Sequence, residues 1–130
     1  MEGFPFVHHE RVRYRDLDAF GHVNNAVYLT YLEEARNAFL AHLGLVRRVA
    51  DIRMILARTE IDFRSPLRLG EEVEIGVRPG RLGNKSFDLE YELRAGDRVV
   101  AAAKVVLVTY DYERSAPIPV PDEWRERMAA

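Results

Sequence analysis

The chain has 130 residues, 48% hydrophobic and 31% charged, with a formal net charge of −2 at pH 7. That length makes one domain, large enough to hold a core without covalent staples. There is no cysteine, which excludes disulfides, thiolate nucleophiles and zinc–thiolate sites, and the slight acidity argues against a general nucleic-acid binder.

The first residues, Met1-Glu-Gly-Phe-Pro-Phe6, carry neither the basic start nor the apolar stretch of a signal peptide. No apolar run nears the ~18 residues of a membrane span; the longest, Val99 to Ala103, stops at Lys104. A soluble, cytoplasmic protein without membrane association is expected.

Residues 9–15 alternate Val12 and Tyr14 with Arg11, Arg13 and Arg15, which predicts a half-buried strand. A polar turn over 16–25 follows. Tyr28, Tyr31, Leu32, Ala35, Phe39 and Leu43 then recur at three- and four-residue steps, predicting a helix from Ala26 to Leu43. Asn24 or Asn25 is its natural N-cap, and Gly44 is placed for a left-handed residue after its last turn.

Everything after Ala50 reads as strand. Ala57 to Phe63 alternates, and Ser65-Pro66 ends it. Gly70 marks a turn, Val73 to Val77 alternates, and Pro79-Gly80 is the next break. Phe87, Leu89, Tyr91 and Leu93 give the cleanest period of two, closed by a hairpin turn at Ala95-Gly-Asp97. Val99 to Tyr112 is apolar enough for a central strand covered on both faces. The tail offers one helical turn at Asp122–Arg127. The order β-α-β-β-β-β predicts an α+β domain, an antiparallel sheet curled around one long helix. One helix leaves part of the sheet and one edge open, which invites a second copy of the chain.

The chemistry concentrates in Asp16-Leu-Asp18-Ala-Phe-Gly21-His22-Val-Asn24-Asn25. Asp16 and Asp18 are either turn and helix caps or carboxylates that attack a carbonyl carbon or activate water for that attack. Gly21 supplies the bend and a close backbone approach to a ligand. His22 is a hydrogen-bonded turn residue or a base. Asn24 and Asn25 present the first helix N–H groups, which lack internal partners and carry partial positive charge suited to an oxyanion. Tyr28, Tyr31 and Phe39 are core residues first and pocket walls second. Arg81-Leu-Gly-Asn-Lys85-Ser86 is a polar hairpin or a phosphate contact. The Gly-x-Ser-x-Gly elbow, His-Glu-x-x-His and GxGxxG are all absent.

The run from Asp16 to Arg36 resembles the opening motif of hotdog-fold acyl thioesterases. The nearest groups are the 4-hydroxybenzoyl-CoA thioesterase-like family and the acyl-ACP thioesterases that share His-Val-Asn-Asn. Arg64-Ser-Pro66, Gly70-Glu71 and Gly83-Asn-Lys-Ser86 resemble later landmarks. The resemblance implies a hotdog fold, a homodimer pairing into a homotetramer, and hydrolysis of an acyl-CoA with no metal or redox cofactor. Asp18 falls on the catalytic carboxylate, nucleophile or general base, and Asn25 where a backbone N–H polarises the thioester carbonyl. His22 matches a histidine of the acyl-ACP enzymes, although Phe20 stands where those enzymes have asparagine. With Asn24, Gly21 and Tyr28 assigned to substrate, the family's dimer-interface site lets Arg81, Lys85 and Ser86 meet CoA phosphates from the partner subunit. An acyl-ACP thioesterase and a non-catalytic acyl-CoA-binding hotdog domain are the alternatives.

Overall fold

A computed structural model describes all residues, 1–130. Five strands form one antiparallel sheet: β1 (Phe6–Arg11), β2 (Met54–Phe63), β3 (Glu72–Leu82), β4 (Ser86–Ala95) and β5 (Arg98–Asp111), in the order β1-β3-β4-β5-β2. A two-residue strand, β6 (Ala116–Pro117), adds to β5. The helices are α1 (Val27–His42) and α2 (Asp122–Ala129). This is the α+β hotdog arrangement expected from the sequence, with α1 as the filling.

The helix forms where its stripe demands. Tyr28, Tyr31, Leu32, Ala35, Phe39 and Leu40 are all buried. They meet the inward faces of β3 and β4, where Val73, Ile75, Val77, Leu89, Tyr91 and Leu93 are at most 2% exposed. Burying each of the valine, leucine and isoleucine side chains there contributes about 1.5–3 kcal/mol. The helix ends as foreseen: Gly44 sits at φ +76°, and the Gly44 and Leu45 N–H groups close onto Ala41 and Leu40 carbonyls.

Several expectations need correction. The strand predicted over 9–15 instead spans Phe6–Arg11, because the Asp16 carboxylate accepts the Arg13 N–H and closes a 3₁₀ turn over Tyr14–Asp16. Tyr14 is consequently exposed. Pro79-Gly80 does not break its strand. β3 runs through it to Leu82, absorbing the missing proline N–H in a bulge between Pro79 and Leu82. β5 is fully covered on one face only: on the other, Ala102, Val106 and Val108 are half-buried and Lys104 is exposed.

The tail is a second helix rather than one turn. Trp124 and Met128, four residues apart, are both buried on one side of α2. Trp124 meets the Phe87 ring edge-on at 5.9 Å, and the Arg127 guanidinium donates to the Leu43 carbonyl at 2.8 Å. α2 thus closes the end of the sheet remote from the start of α1.

No helix is long and apolar enough to cross a membrane.

Candidate functional site

The segment between β1 and α1 is a small hairpin in its own right. Leu17 bridges Val23, and His22 bridges Arg68. The Asp18 N–H donates to the His22 carbonyl at 2.8 Å, and Gly21 N–H returns to the Asp18 carbonyl at 3.1 Å. Gly21 turns this corner at φ +79°, a conformation that costs a side-chain-bearing residue. Val23 N–H bonds to the Leu67 carbonyl, which fastens the hairpin to the chain leaving β2.

The two aspartates separate here. The Asp16 carboxylate takes the Tyr31 hydroxyl at 2.7 Å and the Arg13 N–H at 3.0 Å, so it is bound into the scaffold. Burial and this carboxylate together push the Tyr31 hydroxyl pKa well above its ordinary value. Asp18 uses one oxygen, Oδ1, to accept the Phe20 N–H at 2.9 Å. Its other oxygen takes no hydrogen bond from the chain.

Asp18, His22, Asn25 and Tyr28 share a cleft of about 310 Å³. Phe63, Arg64, Ser65 and Pro66, at the exit of β2, form its opposite wall. The Tyr28 ring is held edge-on against Phe63 at 5.0 Å. Burial raises the Tyr28 hydroxyl pKa; nearby Arg98 opposes the shift and Glu71 adds to it.

The asparagines divide the helix start between them, and neither is the N-cap in the sense expected. Ala26 holds that position in a helical conformation. The Asn24 side chain accepts the Ala26 N–H at 2.8 Å, and its carbonyl accepts Val27 N–H at 2.9 Å. The Asn25 carbonyl accepts Tyr28 N–H. The Asn25 N–H donates to no group of the chain, and it lies at the positive end of a 16-residue helix.

The basic hairpin is elsewhere. Ser86 pairs with Val108 across β4–β5, whereas Leu93, level with the cleft, pairs with Ala101, itself opposite Phe63. Seven residues at about 3.3 Å each put Ser86 roughly 23 Å from that level. The Arg81 guanidinium is held by Ser86 Oγ at 2.8 Å and buried Asp88 at 3.1 Å. Lys85 is exposed. Within one chain, Arg81, Lys85 and Ser86 do not join Asp18. Phe63 and Arg64 do, and sequence reasoning missed both as site residues; the landmark Arg64-Ser-Pro66 was the available signal.

The start of the helix and a turn carboxylate thus share one cleft of this hotdog domain. Residues 12–128 match the model of the thioesterase-like superfamily, and the chain belongs to that family as a thioester hydrolase. It is 33% identical over 129 residues to the 1,4-dihydroxy-2-naphthoyl-CoA hydrolase of Thermosynechococcus vestitus, covering 93% of this chain and 88% of that one. With the long-chain acyl-CoA thioesterase FadM of Escherichia coli it shares 30% identity over 122 residues, covering 91% and 92%. A thioesterase from Thermus thermophilus, crystallised with coenzyme A and zinc, superposes with a TM-score of 0.88 at 39% identity, covering 98% and 95%.

Proposed function

We propose that this protein hydrolyses an acyl-CoA to a free carboxylic acid and coenzyme A, with Asp18 and the Asn25 N–H as its working groups. The observation that carries the reading is their shared cleft: a carboxylate oxygen without a protein partner and a helix-start N–H without an acceptor. The thioester carbonyl oxygen accepts from the Asn25 N–H, which stabilises the charge that grows on that oxygen during attack. Asp18 either attacks the carbonyl carbon or takes the proton of an attacking water. As the carbon–sulfur bond breaks, coenzyme A leaves as the thiolate and takes up the proton that water gives; in the nucleophilic route that water hydrolyses the acyl-Asp18 anhydride, which frees the acid and restores the carboxylate. His22 and the Asn25 side chain position water and substrate, and Tyr28 with Phe63 walls the acyl group. Relatives that act on naphthoyl-CoA and long-chain acyl-CoA support a CoA carrier.

The working unit is a homodimer. β2 is an edge strand, and Ile55, Leu56 and Phe63 on it are 39–48% exposed. An open apolar edge of this kind pairs or aggregates unless covered. Antiparallel pairing of two β2 strands brings the remote end of one chain, with Lys85, toward the cleft of the other. Sedimentation of the purified protein tests this, and a stable monomer would overturn it.

Turnover of short, medium, long and aromatic acyl-CoAs, alongside matched acyl-ACPs, tests the reaction. Release of free thiol from the CoA series supports it. Binding without release would make this a non-catalytic acyl-CoA-binding domain.

A further inference from the structure

The cleft has one permanent cation in its wall, Arg64, and the scaffold leaves that cation unused. The Arg64 and Ser65 N–H groups both donate to the Val100 carbonyl, at 2.9 and 3.2 Å, so the backbone there is fixed. The Phe63 ring before them is fixed against Tyr28. The neighbouring Arg98 is committed: it donates to both Glu71 oxygens, at 3.0 and 3.1 Å, and to the Pro66 carbonyl. Arg81 is committed to Asp88 and Ser86. The Arg64 guanidinium is exposed and engages no ion pair or hydrogen bond of the chain, yet it lines the cleft that holds Asp18.

Electrostatics gives that placement a purpose. The chain is net negative and the cleft carries a carboxylate, so an anionic substrate approaches against repulsion. A guanidinium offers five N–H donors in a planar fork that matches phosphate and carboxylate oxygens. We propose that Arg64 is the anion-recognition residue of this cleft, donating to a phosphate of the coenzyme A carrier or to a carboxylate on the acyl part. This assignment rests on the thioesterase reading of the site and names what that site selects.

Arg64→Met and Arg64→Lys, each with wild type, separate the possibilities. Four thioesters are used: a neutral acyl and a dicarboxylic half-acyl group, each on coenzyme A and on pantetheine, which lacks the phosphates. Dissociation constants by calorimetry and KM against kcat are both read. A lost charge-assisted contact weakens binding by about ten-fold or more, and Arg64→Met raises Kd and KM by that factor while kcat moves less. Arg64→Lys recovers part of the loss. A loss confined to the coenzyme A pair assigns the phosphate, and a loss that follows the acidic acyl group on either carrier assigns the carboxylate. Unchanged Kd and KM across all four overturn the proposal, as does a fall in kcat alone. If wild type binds but hydrolyses none, the thioesterase reading fails, and the Kd values still decide Arg64.

Discussion

Asp18→Asn is the sharpest perturbation of the proposed mechanism, because the structure separates its chemical effect from its structural one. Asp18 does one local job, accepting the Phe20 N–H at 2.9 Å through Oδ1. An asparagine carbonyl accepts the same bond, so the turn survives, and stability shifts by less than about 0.5 kcal/mol, as for an exposed substitution. The oxygen facing the cleft becomes an amide nitrogen, which neither attacks a carbonyl nor accepts a proton from water. Positioned proton transfer supplies roughly 10²–10⁴-fold in rate, so kcat falls by that factor, about 3–5 kcal/mol on the barrier. The assay is thiol release from the best acyl-CoA under saturating substrate, paired with a urea melt of each variant. Asp18→Ala serves as the control: it removes the turn acceptor as well and costs roughly 0.5–1.5 kcal/mol of stability. An Asn variant that keeps wild-type kcat, with an unchanged melt, refutes the role given to Asp18.

Three further outcomes follow from the same geometry. Asn24→Ala removes the acceptor of the Ala26 N–H; it costs about 1 kcal/mol in urea melts and lowers kcat by letting the Asn25 N–H drift, and a variant unchanged in both would show that this side chain shapes nothing. Phe87→Ala empties a fully buried site facing Trp124 and costs about 3–5 kcal/mol, read from the shift in urea midpoint; a loss under 1 kcal/mol would contradict its place in the core. For Glu71, burial by itself raises the pKa, but the Arg68 N–H and the bonds and charge of Arg98 outweigh it, leaving the value below the ordinary 4.5. Its ionised form therefore stabilises the fold above about pH 4.5, and that contribution is lost as pH falls through the lowered value. Melts across acidic pH should show Glu71→Gln losing less stability on acidification than wild type; equal slopes would remove Glu71 from the account.

The sequence by itself determined the elements whose patterns are local. The α1 stripe, Gly44 after its last turn, and the alternation Phe87–Leu93 each encode burial within a few residues, and each lies within a residue or two of its predicted place. The turn 16–25 was legible too, because glycine, aspartate and asparagine at those spacings have few alternatives in backbone geometry. Pro79-Gly80 reads as a break because proline and glycine usually punctuate, and only pairing with β4, with a bulge after Pro79, carries β3 through it. α2 was half seen, since two buried residues in eight make a weak stripe until Phe87 is known to face Trp124.

The site divides the same way. Residue type and spacing singled out both aspartates; the Tyr31 hydroxyl, fifteen residues on, decides that Asp16 belongs to the scaffold and leaves Asp18 facing the cleft. Arg64 stands 46 positions from Asp18 in the chain, and no periodicity joins them. They face one cleft because Val23 bonds to the Leu67 carbonyl and His22 bridges Arg68, drawing the exit of β2 onto the turn. Such long-range pairings depend on which strand lies beside which, and that is fixed only when the sheet closes around its helix.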